Sequence, residues 1–358
     1  MPDAVPTTST KFAGLDVLRG VAALSVVLTH SSAALEIPWL MRGGGMAVDL
    51  FLLMSGFVIA HAYDRKIPSL GACGFIRLRA IRFYPLYLLG LAIGVAHILV
   101  TIWTGKAQAS ATGIAIAVAS ALIFFPAPSS VIDARDLLSP LNGPGWSLIL
   151  EMWINALYAA FFRYLTTTVL MLTILVAMIV LILYARAGDP GGGWGWGNLL
   201  CGVARVCYSF PLGVLMYRHS EKLPVMRNHG LLAIFATIFF LMLPPSPYYN
   251  LAFIVVLSPL ILMCAAYASF NAAFATYCAT TSYCAYAIHH PLLGLTIGMA
   301  HRLDLSRSLG AALGISMILV VAPMLDGFYD RPLRRKLLLL SARPRQSVDQ
   351  GETQVGDR

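Results

Sequence analysis

The chain has 358 residues, 58% of them hydrophobic and only 11% charged, with a mean hydropathy of +0.76. A soluble domain carries roughly a quarter charged residues, so the composition excludes a soluble globular protein and indicates a polytopic membrane protein. The formal charge of +9 does not point to nucleic acid, because the basic residues fall in short clusters between apolar runs, as cytoplasmic loops do.

Residues 1–13 read as a polar N-terminal tail. The first apolar run, FAGLDVLRGVAALSVVLTHSS from residue 12, is too long for a cleaved signal and is expected to be an uncleaved first span. Spans are predicted at about 14–35, 46–63, 82–103, 146–163, 167–186, 199–217, 230–244, 248–270, 282–300 and 308–328, each near the ~20 residues a bilayer needs. Residues 113–125 are too few for a span and read as a re-entrant or interfacial segment. Ten spans put the basic clusters at 64–66, 77–82, 218–227 and 331–345 on one side with the N-terminus. An all-α polytopic protein with both termini cytoplasmic is therefore expected, with a membrane domain at 14–328 and a basic, disordered tail at 329–358. The glycine-rich run at 191–197, GGGWGWG, lacks the Lys-Ser/Thr of a phosphate loop and reads as an interfacial aromatic anchor in an outer loop. The six cysteines form no CxxC pair and no metal-ligand spacing, so they read as small core residues, and no metal site is expected.

Arg19 and His30 are eleven residues apart, which returns to within about 20° on a helix and separates them by ~16 Å along it. Two such residues on one buried face mark a function. Catalysis or ligand binding by His30 is set against a structural role. Asp49 either orients His30 from the next helix or caps its own. Arg79 and Arg82 are neighbours on one helical face, placed to clamp phosphates or to snorkel to headgroups, and Pro85 is expected in the first turn of the third span. On WSLILEMWINALY, Ser147, Glu151, Asn155 and Tyr158 form one polar stripe, and Glu151 is either a site residue or half of a structural ion pair. Ser282, Tyr286 and His289 share a face, as interhelical hydrogen-bonding groups or as chemistry; His290 points elsewhere and reads as structural.

The order of these pieces resembles the acyltransferase-3 family of integral-membrane O-acyltransferases. The matching residues are Leu15-Asp16 through Arg19 to His30, Gly45 to Asp49-Leu50-Phe51 with Ser55-Gly56-Phe57, Arg79-x-x-Arg82 with Pro85, Trp146-Ser147-Leu148 with Glu151, and Ser282-Tyr283 with Tyr286 and His289. They run in family order over about residues 12–330. Leu52, Ala285 and Ala287 depart from the usual pattern by apolar exchange. The resemblance implies transfer of an acyl group, commonly acetyl, from cytoplasmic acyl-CoA to a hydroxyl on an extracytoplasmic glycan or lipid-linked sugar, in a bacterial inner membrane. It implies Arg19, Arg79 and Arg82 as binders of the acyl-CoA diphosphate, and His30 as general base or acyl carrier with Glu151 or Asp49 fixing its tautomer. Trp146, Ser147, Tyr286 and His289 are the expected substrate-binding residues. Membrane lipids and proteins of polysaccharide biosynthesis are the expected partners. Some members carry a soluble hydrolase-like domain after the spans; none is expected here, and a second transfer step is expected to need a separate protein. The competing reading is a secondary transporter or exporter of a small acid or sugar using the same buried charges, against which stand the lack of an inverted repeat and the one-sided basic fork.

Overall fold

A computed structural model describes residues 12–341, apart from 106, 133–135, 190, 223–225 and 227. The polar stretch ahead of residue 12, the tail beyond 341 and part of the 218–227 basic cluster lie outside the described residues.

Within lipid, every peptide N–H and C=O must find its partner inside the protein, and apolar runs meet that demand as helices. The helices are α1 (Ala13–Ser31), α2 (Ala47–Tyr63), α3 (Ile67–Trp103), α4 (Ala111–Leu122), α5 (Gly145–Ala160), α6 (Thr167–Ala187) and α7 (Leu199–Arg218). They continue with α8 (Gly230–Met242), α9 (Pro247–Ala252) and α10 (Ser258–Ala266), which a π turn joins, α11 (Ala272–Arg302), α12 (Arg307–Leu325) and α13 (Arg331–Ser341). Among the described residues, seven helical segments are long and apolar enough to cross a membrane. The chain is an all-α, multi-pass membrane protein. Each of the ten runs expected to span is helical, while the segment at 113–125 is the short helix α4.

Three boundaries differ from the sequence reading. α3 begins at Ile67, well ahead of the expected 82, so Pro85 lies inside a helix instead of in its first turn; Gly71, at φ 70°, takes the kink that lets the two pieces join. α11 begins at Ala272 instead of near 282, capped by the Asn271 side chain on the Ala273 and Phe274 N–H groups. Residues 331–341, assigned to a disordered tail, form the amphipathic helix α13. Arg331 and Arg334 pair with Asp326 at 2.5 and 3.4 Å, Arg334 also pairs with Asp330, and the Arg77 guanidinium donates to the Ser341 carbonyl at 3.2 Å.

The bundle has two distinct ends. At the basic end, the Arg218 guanidinium joins Asp64 at 2.7 Å to the Leu165 carbonyl at 2.6 Å. Tyr158 hydrogen-bonds the same Asp64, and Arg82 and α13 lie around the Asp326–Asp330 turn at this end. The opposite end is made of loops. There the Thr29 hydroxyl donates to the Met41 carbonyl at 2.6 Å and the Trp196 indole N–H to the Ala127 carbonyl at 2.9 Å.

Two features of α7 fix the centre. Gly56 of α2 and Gly213 of α7 allow backbone contact: a Cβ on Gly56 would stand 2.0 Å from the Phe210 carbonyl oxygen, and one on Gly213 2.1 Å from that of Leu53. Small residues at such crossings are what bring membrane helices together. About two turns toward the loop end from Gly213, Arg205 is 1% exposed, yet every one of its five N–H donors is used. Nε and Nη2 reach the two Asp49 oxygens at 3.1 and 2.7 Å. Nη2 also donates to the Gly45 carbonyl at 3.0 Å, and Nη1 to those of Gly191 and Gly192 at 2.9 Å each. Its guanidinium lies 5.3 Å from the Trp146 ring. One buried cation thus ties α7 to α2, to the turn before α2 and to the glycine loop before α7.

Two outcomes follow for stability, both read as the thermal unfolding midpoint of the purified protein. Gly56→Ala and Gly213→Ala each destabilise by about 1–3 kcal/mol through overpacking, whereas Gly298→Ala, where a Cβ meets nothing within 4 Å, leaves the midpoint in place. Arg205→Ala strands a buried carboxylate and costs ~3–5 kcal/mol; Arg205→Lys also lowers the midpoint, since an ammonium has only three donors for the acceptors that five now serve.

Candidate active site

At the loop end a cavity of about 410 Å³ opens between the helices, a volume within the usual range for small-molecule sites. His30, from the last turn of α1, lines it together with Trp146, Trp194, Arg205, Tyr286 and His290. The His30 ring is exposed to this space. It stacks on His289, with centroids 5.1 Å apart and planes 15° apart, and meets His290 edge-on at 5.4 Å.

Behind that ring, α11 holds a defined network. His289 is fully buried, and its Nδ1 lies 2.8 Å from the Tyr286 carbonyl and 3.2 Å from that of Ala285. Both partners are acceptors, so Nδ1 carries the proton and Nε2 offers a lone pair. That Nε2 is buried with no hydrogen-bond partner. The Tyr286 hydroxyl is 2.6 Å from the Ser147 hydroxyl and 3.2 Å from the Pro144 carbonyl, which fixes the phenol against the start of α5.

A second layer lies farther from the loops. Glu151 accepts a hydrogen bond from Ser55 at 2.6 Å and faces Arg79 at 3.5 Å. The Arg79 guanidinium also rests 4.7 Å from the Phe83 ring centre. Arg82 stacks over Tyr283 at 5.3 Å and stands 3.7 Å from Asp330. Arg19 turns back onto Asp16 of its own helix at 2.7 Å.

The residues singled out from sequence therefore fall into three groups. His30, Trp146 and Tyr286 share one cavity, with Ser147 and His289 bracing Tyr286. Glu151 and Arg79 form an inner pair. Arg82 and Arg19 lie toward the basic end, each beside an aspartate. The expectation that Asp49 or Glu151 orients His30 is not met: Asp49 is engaged by Arg205, Glu151 by Ser55 and Arg79, and the rings beside His30 are imidazoles. Asp49 does not cap α2 with its side chain either.

Three participants escaped the sequence reading. Arg205, in LLCGVARVCYSF, was passed over, although a lone arginine in a span is itself a signal. His290, read as pointing elsewhere, lines the cavity. Trp194, read with its loop as an interfacial anchor, lines it too. Among the described residues no cluster of His, Cys, Asp and Glu could hold a metal ion.

Comparison with known proteins adds the family. The chain is 33% identical over 185 residues to "Protein 2 in picA locus" of Rhizobium radiobacter, an alignment covering 49% of this chain and 95% of that protein. No solved structure matches the chain. The acyltransferase domain of the acyltransferase-3 family matches residues 12–326, a stretch that begins just before α1 and takes in the cavity, the Arg205 node and the inner Glu151–Arg79 pair. The chain belongs to that family and is a membrane acyltransferase.

Proposed function

We propose that this acyltransferase moves an acyl group, acetyl in the simplest case, from acyl-CoA on the cytoplasmic side of a bacterial inner membrane to a hydroxyl of a glycan or lipid-linked sugar on the other side. In this reading the chain crosses the membrane ten times, with both termini and the basic end cytoplasmic. Exposure of the His30 imidazole in a cavity, while the charged groups around it are paired with one another, is the observation that carries the reading.

Arg79, Arg82 and Arg19 are the proposed holders of the acyl-CoA diphosphate. The Arg79–Glu151 and Arg82–Asp330 separations, 3.5 and 3.7 Å, are longer than those of hydrogen-bonded ion pairs, so either guanidinium can turn onto a phosphate without breaking a tight contact. The thioester then extends along the bundle toward His30, ~16 Å from Arg19 along α1. Neutral His30 takes the proton from the acceptor hydroxyl as its oxygen attacks the thioester carbonyl. The new C–O bond replaces the C–S bond, and the departing thiolate recovers the proton from the imidazolium to leave as CoA. In the two-step variant, the neutral His30 nitrogen attacks first and the C–S bond breaks, the thiolate leaving as CoA with the proton of the other ring nitrogen; the acceptor oxygen then displaces the imidazole, which takes up the hydroxyl proton. Trp146, Ser147, Tyr286 and His289 form the proposed substrate wall. Glu151 and Asp49 act through the arginines that they pair with. Partner proteins of polysaccharide biosynthesis would supply or carry away the acceptor.

The test uses membranes containing the protein and radiolabelled acetyl-CoA, with CoA release and label in extracted glycans followed together. His30→Ala at matched abundance is expected to reduce glycan labelling by about 10²–10⁴-fold, the usual contribution of a general base. Labelling that persists unchanged in His30→Ala would remove His30 from the chemistry. Failure of acetyl, succinyl and longer acyl donors alike to label any glycan fraction would overturn the proposed transfer.

A further inference from the structure

The glycine–tryptophan loop at 191–197 is a fastened structure. The Asn198 side-chain oxygen accepts from the N–H groups of Gly193 and Gly195 at 2.9 and 3.0 Å. Leu138 N–H donates to the Trp194 carbonyl at 3.0 Å, and Trp196 N–H to that of Asp136 at 3.1 Å. Arg205 takes the carbonyls of Gly191 and Gly192. Gly193, at φ 129°, runs so close to Trp146 that a Cβ would stand 2.7 Å from its ring. Pinned in this way from three sides, the loop still leaves the Trp194 indole 51% exposed on the wall of the His30 cavity.

The rest of that wall has a definite chemical character. Besides its aromatic faces it is lined by Thr29, Thr101 and Tyr286, whose hydroxyl protons are donated within the protein so that their oxygens can only accept, and by His30, His97 and His290. Arg205 is the one fixed charge among the described lining residues, and its five donors are already taken. A carboxylate or phosphate would enter this space with no cation to meet it, at the full cost of desolvating its charge. A neutral polyhydroxylated ring matches the wall: one face of a pyranose is C–H, suited to an indole, and its rim of hydroxyls suits the hydroxyl and imidazole groups.

We propose that Trp194 is the platform on which the sugar ring of the acceptor stacks, and that this site takes an uncharged ring; the assignment rests on the transfer reading above and names the acceptor class for the same cavity. The loop is held rigidly so that this one indole meets the ring at a set distance from His30. Rigid aromatic anchors contribute contact area at low entropic cost.

Scintillation-proximity binding of tritiated hexyl glycosides to the full chain in nanodiscs tests this, with empty nanodiscs as background. The probes are the β-glucoside, β-galactoside and N-acetyl-β-glucosaminide, with the hexyl β-glucuronide as the charged comparator. The wild type is expected to bind at least one neutral probe saturably and the glucuronide at least tenfold more weakly. Trp194→Ala is expected to weaken the neutral probe at least tenfold, and Trp194→Phe, which keeps an aromatic face, to stay within about threefold of the wild type. No saturable binding of any neutral probe, equal binding by Trp194→Ala, equal binding of the glucuronide, or a Trp194→Phe loss as large as that of Trp194→Ala would each overturn the assignment. Binding that depends on Trp194 without label transfer from acyl-CoA would instead overturn the transfer reading and leave the platform standing.

Discussion

The Arg205 guanidinium is the constraint on which the loop end of this bundle depends. A cation buried to 1% exposure is tolerable only when its charge and all its donors are satisfied. Here one carboxylate and three backbone carbonyls do so. The three carbonyls belong to two glycine-rich turns, whose lack of side chains lets their backbones approach the guanidinium. The same arrangement sets the position of Trp146, over which the guanidinium sits, and of the loop carrying Trp194. The cavity wall and the buried ion pair are therefore one structure.

Moving toward the basic end, the charged groups become less tightly engaged. The cavity level carries imidazoles, hydroxyls and the fully satisfied Arg205–Asp49 pair, the next level the Ser55–Glu151–Arg79 group, and the last the arginines beside Asp16 and Asp330. Buried charges are costly wherever they lie, and each here has an opposite charge beside it. An enzyme with a highly charged donor and an uncharged acceptor would need this gradation, and the proposed roles follow it. The His289 ring stacks on that of His30, and its Nε2 is buried without a hydrogen-bond partner.

Much of the architecture was legible because the bilayer leaves a chain few choices. Length and hydropathy alone located the helices, and Arg19, His30, Glu151 and the Tyr286–His289 pair stood out as polar residues in apolar runs. What escaped depends on which helices touch. Asp49 lies in the next span after His30, which made it a plausible partner, yet its actual partner is 156 positions along the chain. His290 sits on a different face of α11 from His289, but α1 packs so that the His30 ring meets both. The glycine loop looked like an anchor because composition cannot tell a tryptophan facing lipid headgroups from one facing a cavity. The tail from 329 looked disordered because its basic run shows no anchor by itself: Arg331 and Arg334 pair with Asp326 and Asp330 at its junction with the last span, and the contacts from Arg77 to Ser341 and from Arg82 to Asp330 are tertiary.

The central claim is a division of labour along the bundle: arginines toward the basic end hold the donor, and His30 in the loop-end cavity does the chemistry. Equilibrium binding of radiolabelled CoA to the purified protein separates the two most directly, compared among the wild type, His30→Ala and the double variant Arg79→Ala with Arg82→Ala. The predicted result is that His30→Ala binds CoA as the wild type does, while the arginine double variant binds at least tenfold more weakly, a loss of about 1.4 kcal/mol or more. Wild-type CoA affinity in the arginine double variant, or an equal loss in His30→Ala, would contradict the account.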